Sequence, residues 1–169
     1  MAVTMQTQTG SASAPQRAPL WRLALLFLFF MFSGANAMAS KVMFSEVQGV
    51  VLKNGAPVAG AKIKREYTWA WDNKKVTEDA VSDAAGKFAF SQASKSSFMS
   101  GLMPHEPVIS QLITISFEGK EYIAWDFRKH NYDNNGELKG KPIKISCELT
   151  RKPASSYIND DIYGICSLM

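Results

Sequence analysis

The sequence predicts an all-β fold, an antiparallel β-sandwich of seven short strands that follows an N-terminal signal peptide. Three observations support this prediction. From Val42 onward, short apolar alternations are separated by Gly, Pro, Asn and Asp. No segment keeps a helical period of apolar residues for three turns. The apolar segments also recur at the short spacing that is typical of sandwich strands. The predicted strands are 46–53, 61–67 with an extension to 71 left open, 76–82, 87–90, 111–117, 121–127 and 142–149.

The first 37 residues have the pattern of a cleaved signal peptide. Arg17 and Arg22 carry the only charges of the first forty residues, and ten apolar residues follow them at 23–32. This run is too short for the roughly twenty residues that span a bilayer. It leads to Ala35-Asn36-Ala37, which fits the A-x-A rule of signal peptidase. We therefore expect export to the periplasm, and contact with a membrane only through the signal peptide before cleavage.

The mature chain is expected to form a single domain without affinity for nucleic acid. Cleavage leaves 132 residues, Met38 to Met169, and lowers the formal net charge from +4 to +2. A chain of that length buries one core. No stripe of Lys and Arg remains that would contact a nucleic-acid backbone. We place the sandwich domain at 38–150 and a C-terminal tail at 151–169.

The connections between the strands contain residues that favour turns. Positions 54–57 read Asn-Gly-Ala-Pro, in which Asn and Gly tolerate positive φ and Pro fixes the next dihedral. Polar residues at 72–75 and 83–86 predict two more turns, and 118–120 closes the clearest hairpin. The remaining connections, 91–107 and 128–141, are predicted as a Ser- and Met-rich loop with one helical turn and as a polar loop.

Cys147 and Cys166 are the only cysteines and lie near the C-terminus. In an oxidising compartment an isolated pair is more often bridged than free. We therefore predict a disulfide that ties the tail to the last predicted strand. A catalytic thiol is the alternative, and no motif supports it.

Part of the chain resembles the transthyretin-like sandwich, the regulatory-domain type of carboxypeptidase. The matching residues are Gly49-Val50-Val51, Gly55-Ala56-Pro57-Val58-Ala59-Gly60-Ala61-Lys62-Ile63 and Ser82-Asp83-Ala84-Ala85-Gly86-Lys87-Phe88-Ala89-Phe90. The last segment is similar to the T-D-x-x-G-x-F-x-F signature of that family. The resemblance implies a Greek-key sandwich with Phe88 and Phe90 in its core. It implies no chemistry, because such modules serve mainly as folding supports, adhesion units and binding domains.

The mature chain as a whole resembles a group of small exported proteins of Gram-negative bacteria built on this module. Some proteins of that size and location are immunity proteins, which neutralise toxins that rival cells deliver into the periplasm. By this analogy, the expected partner is another protein, such as a secreted toxin or enzyme.

Catalysis is not expected. A hydrolytic triad needs a histidine placed by a carboxylate beside a nucleophile, and the chain has only His105 and His130. His105 lies between two prolines and is expected to be a solvated loop residue, while His130 is expected on the surface. Transthyretin-like enzymes that open purine-derived rings end in Tyr-Arg-Gly-Ser. This chain ends instead in Tyr163-Gly164-Ile165-Cys166-Ser167-Leu168-Met169.

No metal or cofactor is expected either. Segment 131–137 places oxygen side chains before a glycine as a calcium loop does, but Pro142 stands where the bidentate glutamate belongs. We interpret the segment as a polar turn.

Two groups of residues are the candidates for partner binding. Tyr67, Trp69 and Trp71 alternate along a strand and share one face, where they either fill the core or form a contact surface. The loop segment with Phe98, Met99, Leu102 and Met103 is either a lid over one end of the sandwich or an adaptable contact surface.

A third feature, acidic residues 159–161 between Tyr157 and Tyr163, suits a basic partner or a solvated tail. The expected function is a periplasmic, non-enzymatic protein-binding domain, most concretely an immunity protein that acts by occlusion. The alternatives are a structural or envelope-assembly module and a carbohydrate or small-ligand binder.

Overall fold

The computed structural model describes residues 40–96, 103 and 105–169. This part of the chain contains eleven strands and one 3₁₀ helix. No helix in this part is long and apolar enough to cross a membrane. The elements are β1 (Lys41–Phe44), β2 (Val47–Lys53), β3 (Ala56–Pro57), β4 (Lys62–Trp69), β5 (Lys74–Val81), β6 (Lys87–Phe90), β7 (Ala93–Lys95), β8 (Ile109–Phe117), β9 (Lys120–Lys129), η1 (Gly136–Leu138), β10 (Ile143–Glu148) and β11 (Cys166–Leu168).

The strands form two main sheets and one short ladder. A four-stranded antiparallel sheet has the order β5-β4-β8-β9. A five-stranded sheet has the order β11-β10-β2, with β3 and β6 both pairing with the other side of β2. Strands β1 and β7 form a separate antiparallel pair. Among the described strands only β2 and β10 run parallel. The predicted all-β class with antiparallel sheets, consistent with a sandwich, is confirmed.

The core contains the inward-facing residues of both sheets, because alternate side chains of each strand point to the same face. In the four-stranded sheet, β4 and β8 each bury every second residue. In the five-stranded sheet, β2, β6 and β10 do the same. The core residues with no more than 1% exposure in these strands are Val47, Val51, Ile63, Ile109, Ile113, Ile115, Ile143, Ile145 and Cys147.

The Asp83–Gly86 turn shows why the signature residues stand where they do. The Asp83 carboxylate accepts hydrogen bonds from the backbone N–H groups of Ala85 and Lys87, each at 2.8 Å. Gly86 has a φ of 74°, and a Cβ there would lie 2.5 Å from the Val51 carbonyl oxygen. The turn therefore needs both an Asp and a Gly at these positions.

Phe88 covers a glycine on the neighbouring strand. Gly49 lies opposite Phe88 in the β2–β6 pair, and a Cβ on Gly49 would lie 2.2 Å from the Phe88 ring. The aromatic ring thus occupies the space that a side chain would take on β2. Phe88 and Phe90 are both buried, as expected from the sequence.

The C-terminal tail joins the two main sheets. Cys147 and Cys166 lie opposite each other in the β10–β11 pair and form a disulfide, which confirms that prediction. Upstream of Cys166, Tyr163 exchanges two backbone hydrogen bonds with Asp126 of β9. We call residues 162–168 the C-terminal strap, because they connect β9 of one sheet to β10 of the other.

All seven predicted strands are present, and four further short strands were not predicted. β3 and β11 have only two and three residues, too few to show an alternation. β1 buries three consecutive residues and so lacks the period of two. β7 lies inside the predicted loop 91–107, where Ala93 pairs with Phe44. These strands depend on tertiary partners rather than on their own pattern.

Candidate functional site

Four aromatic or imidazole side chains meet at one end of the sandwich. We call Trp69, Trp71, His105 and Tyr132 the aromatic cluster. Trp69 ends β4, and in the strand register it lies opposite Ile109, the first residue of β8. Segment 105–108 leads into that position, and Tyr132 follows the end of β9. The antiparallel register therefore gathers residues that are distant in sequence.

The rings of the cluster are in direct contact. The centroids of Trp71 and His105 lie 4.6 Å apart. Trp69 meets Tyr132 edge-on at 6.0 Å and lies 6.3 Å from Trp71. Tilted and edge-on arrangements at these separations are the favourable ones for aromatic pairs.

A chain of hydrogen bonds gives the cluster a defined polarity. The Trp69 indole N–H can only donate, and it donates to the Tyr132 hydroxyl at 3.0 Å. Burial raises the pKa of Tyr132, so its hydroxyl keeps its proton. That hydroxyl lies 2.6 Å from Nε2 of His105, while Nδ1 of His105 lies 2.9 Å from the Met103 carbonyl oxygen. The carbonyl accepts only, so Nδ1 carries the proton and Nε2 accepts from Tyr132.

Two lysines lie against the cluster. The Lys41 ammonium is 4.7 Å from the centre of the Tyr132 ring, and the Lys95 ammonium is 5.9 Å from that of Trp69. Lys95 also forms a 2.8 Å ion pair with Asp72. Burial opposes ionisation of Asp72, but hydrogen bonds from Lys95 and the Lys74 backbone outweigh it and lower the pKa. Cations on aromatic faces stabilise such sites by about 0.5–1 kcal/mol when they are exposed.

The interpretation of Tyr67 and Trp69 as contact residues requires correction. Tyr67 is 6% and Trp69 2% exposed, because the face of β4 that carries them points into the sandwich. They fill the core, which is the alternative that the sequence left open. Trp71, in the turn after β4, is half-buried and packs against this core. It is the aromatic residue of the three with accessible surface.

The Met-rich segment is described only in part. Phe98, Met99 and Leu102 lie outside the described residues. Met103 is 53% exposed, and its carbonyl oxygen faces His105. Of the predicted contact residues, Met103 and Trp71 are therefore both placed beside His105.

The expectation that His105 is a solvated loop residue is wrong. His105 is half-buried, and both of its ring nitrogens have partners. The two flanking prolines suggested an exposed loop, but contacts with Tyr132 and Trp71 hold the ring against the sandwich. His130, in contrast, is exposed as expected.

The segment that resembled a calcium loop contributes to a buried polar network. The Glu137 carboxylate accepts hydrogen bonds from the Ser45 hydroxyl at 2.6 Å and from the Gln111 amide at 2.8 Å. It also lies 3.2 Å from the Lys129 ammonium, with both side chains fully buried. An ammonium group thus neutralises the carboxylate that a cation would need. Among the described residues, no three acidic, His or Cys side chains are grouped as metal ligands would be.

The sequence reasoning missed Ser45, Gln111 and Lys129, the partners of Glu137. The sequence pattern does not predict that these side chains are buried, because Gln and Lys also occur at exposed positions of strands. The charge of Glu137 is favoured despite its burial. Burial alone would raise the pKa, but the hydrogen bonds from Ser45 and Gln111 and the charge of Lys129 outweigh it and lower the pKa.

The acidic tail segment is largely solvated. Asp160 and Asp161 are exposed. The Tyr157 ring lies under the Arg151 guanidinium at 4.6 Å, and Tyr163 belongs to the C-terminal strap. Tyr157 is thus engaged within the chain, whereas the Tyr163 side chain is exposed together with the two carboxylates.

The comparisons with known proteins identify a family without an assigned function. Residues 47–152 match the family model described as a domain of unknown function, DUF6795. The match covers more than half of the chain and runs from β2 to the end of β10. No curated protein and no solved structure gives a significant match. The chain therefore belongs to the DUF6795 family.

Proposed function

We propose that this chain is an exported, non-enzymatic protein-binding domain. In its most concrete form it is an immunity protein that neutralises an antibacterial secreted toxin, such as a type VI secretion effector. The mechanism is occlusion, in which the end of the sandwich that carries the aromatic cluster covers the active-site cleft of the toxin.

The observation that carries this proposal is the contact between the Trp71 and His105 rings, which are tilted with their centroids 4.6 Å apart and are half-buried at that end. Tryptophan is enriched among the residues that dominate protein interfaces. The hydrogen bond to Tyr132 holds His105 in place before any partner binds. A side chain that is already ordered loses little entropy on binding, which favours affinity.

The disulfide supports export. Cys147 and Cys166 are bridged, and structural disulfides persist in oxidising compartments such as the bacterial periplasm. Together with the sequence Ala35-Asn36-Ala37, which fits the rule of signal peptidase, the disulfide supports our proposal that the chain is exported and cleaved between 37 and 38.

Two features support a function without catalysis. The Ser45 hydroxyl and the Lys129 ammonium, which could serve as nucleophile and base elsewhere, are buried and bound to Glu137. His105 uses both nitrogens in internal contacts. These groups stabilise the fold and are not presented to a substrate.

We also propose a distant relationship to the transthyretin-like sandwiches. The Asp83–Gly86 turn and the contact between Gly49 and Phe88 give a physical reason for the shared signature. This relationship concerns the fold and carries no activity with it.

A competition assay tests the immunity function. Cells that lack the gene should be killed by sibling cells that deliver the toxin, and the wild-type gene should protect them. A gene with Trp71→Ala should protect poorly, whereas Tyr163→Ala, on the exposed part of the strap, should protect fully. Equal amounts of both variants in the periplasm are the control. Survival of the deletion strain beside toxin-delivering siblings argues against immunity.

One observation favours a second candidate function, a carbohydrate or small-ligand binder. A pocket of about 270 Å³ beside β2 has four amide side chains among its lining residues, Gln48, Gln92, Asn134 and Asn135. Amides are suited to hydroxyl groups of a sugar. A glycan-binding screen with Gln48→Ala separates this function from protein binding. The third candidate, an envelope-assembly module, has no specific contact in its favour.

A further inference from the structure

Strand β5 is an edge strand with free hydrogen-bonding groups. Among the described residues, β5 pairs only with β4. Just beyond the end of β5, the Ser82 N–H donates to the Ala61 carbonyl oxygen, and the Ser82 carbonyl oxygen accepts from the Gly60 N–H. Both backbone groups of Ser82 therefore point to the side of β4. Because the direction of these groups alternates along a strand, those of Lys75, Thr77 and Asp79 point away from β4. Such an edge is a template for another strand.

The charges of β5 are segregated along its length. The strand begins with Lys74 and Lys75 and reaches Glu78 and Asp79 towards its end. Proteins often protect an edge with charges of a single sign, which repel a second copy of the same edge. Here the order of the signs does the opposite, because an antiparallel copy brings the basic half against the acidic half.

Register decides which charges meet. In a symmetric dimer, a two-fold axis perpendicular to the sheet relates the two β5 strands. Side chains that are directly opposite in the two strands then lie on the same face of the joined sheet. A residue on the axis faces the same residue of the second copy. If that residue is charged, as Lys74, Lys75, Glu78 and Asp79 are, two like charges lie opposite each other. An axis through Val76 or Thr77 avoids this.

Between these two registers, the charges favour Thr77. With the axis at Val76, Lys74 would face Glu78 of the second copy, but Glu78 is already bound to the buried Arg65. With the axis at Thr77, Lys75 faces Asp79 of the second copy twice. Lys75 forms a 2.8 Å ion pair with Glu66 of its own chain, but its ammonium is 62% exposed and has three donors, so it can also bind Asp79 of the second copy. Asp79 is exposed and belongs to none of the ion pairs found among the described residues.

We propose that β5 is a contact surface for a second copy of this chain, with the two strands antiparallel and Thr77 on the two-fold axis. The pairing joins the two four-stranded sheets into one continuous sheet. A contact through a single strand is small, so the dimer is weak and depends on concentration and on salt. This inference is independent of the proposed function.

Charge reversal tests the pairing, by sedimentation of protein purified from cells that express the full chain. Lys75→Glu and Asp79→Lys should each raise the dimer dissociation constant at least tenfold, because each places two like charges opposite each other. The double variant restores both pairs with reversed signs and should return to within about threefold of the wild type. Lys144→Glu, an exposed change of the same sign on β10, should have no effect.

Crosslinking tests the register. Thr77→Cys should form an intermolecular disulfide on mild oxidation, because the two copies face each other at a hydrogen-bonded pair with Cα atoms about 5.5 Å apart. Asp79→Cys faces Lys75 of the second copy and should crosslink poorly. A chain that stays monomeric at every attainable concentration overturns the proposal. So does a dimer that the single charge reversals leave intact, or one that crosslinks better through Asp79→Cys.

Discussion

Glu137 illustrates at the scale of single residues how one buried carboxylate joins separate segments. Its oxygens bind Ser45 before β2, Gln111 on β8 and Lys129 near the end of β9. Gln111 also donates to the Met43 carbonyl oxygen at 2.8 Å. Buried polar groups with all their partners present make a fold specific, whereas removal of one partner is expensive.

Glu137→Gln should lower the free energy of unfolding by about 3–5 kcal/mol at neutral pH, because Lys129 is left buried without a counter-charge. Chemical unfolding checks this, with Glu121→Gln on the exposed side of β9 as the control. The double variant Glu137→Gln with Lys129→Met should lose much less unfolding free energy than the sum of the losses of the two single variants. Additive losses would contradict the pairing.

The same variant has an expected pH dependence. The pKa of Glu137 is lower in the folded chain than its ordinary value. Its stabilisation is therefore complete above about pH 4.5 and is lost as the pH falls through the lowered pKa. The stability difference between wild type and Glu137→Gln should shrink on acidification from about pH 6 to about pH 3. A difference that grows on acidification would show that the carboxylate is protonated in the native state.

The neutral tautomer of His105 should carry its proton on Nδ1, because Nδ1 faces a carbonyl oxygen and the Tyr132 hydroxyl can donate to Nε2. Nitrogen-15 NMR at about pH 7.5 distinguishes the two tautomers. Tyr132→Phe removes the donor and should turn His105 into a mixture of tautomers, while the exposed His130 serves as an internal reference. A proton on Nε2 in the wild type would exclude the hydrogen-bond chain.

At the scale of single residues, the sequence predicts types of residue better than their surroundings. The alternation of Tyr67, Trp69 and Trp71 predicts a common face, but not whether that face is covered. The contacts of His105 depend on Tyr132, which lies 27 positions away and reaches it only through the register of the sheet. No local pattern contains that information.

The C-terminal strap shows at the scale of elements how a segment without periodicity becomes ordered. Tyr163 exchanges two backbone hydrogen bonds with Asp126 of β9, and the Ile165 N–H donates to the Ile123 carbonyl oxygen of β9. The strap then pairs with β10 as β11. Gly164 lies so close to β9 that a Cβ there would be 2.3 Å from the Ala124 carbonyl oxygen. The strap therefore requires a glycine at position 164.

Removal of the disulfide should destabilise the chain without abolishing the fold. The bridge spans 19 positions, and opening a loop of that length lowers the free energy of unfolding by about 3 kcal/mol. The double change of Cys147 and Cys166 to Ala should lower Tm by about 10 °C, measured by calorimetry against the oxidised wild type. The remaining backbone bonds should keep the strap ordered. An unchanged Tm would mean that the bridge contributes nothing.

The sequence predicts the strands that carry a period of two and misses those that do not. β2, β4, β5, β6, β8 and β10 alternate along most of their length, and their predicted bounds lie close to the observed ones. β9, which is also predicted, buries Ala124 and Trp125 in succession where its pairing with β8 is irregular. The two cysteines signal the attachment of the tail, but not the pairing of Tyr163 with Asp126. Pairings of this kind arise from long-range contacts, which a local pattern does not encode.

At the scale of the whole molecule, the described chain is an all-β fold that is stabilised by buried polar groups and by a disulfide. One end carries the aromatic cluster, and one edge, β5, carries a self-complementary pattern of charges. In the function that we propose, recognition depends on these preformed surfaces.

The most direct test of the proposed binding function is a pull-down from periplasmic extract, which should recover a protein in a 1:1 ratio with the chain, followed by calorimetry of its affinity. Trp71→Ala should weaken binding by at least tenfold, since interface tryptophans commonly contribute 2 kcal/mol or more. Tyr163→Ala should stay within about twofold of the wild type, with similar Tm values for all three proteins. Absence of a stoichiometric partner, or an affinity that Trp71→Ala leaves unchanged, would contradict the claim that this end of the sandwich is a binding surface.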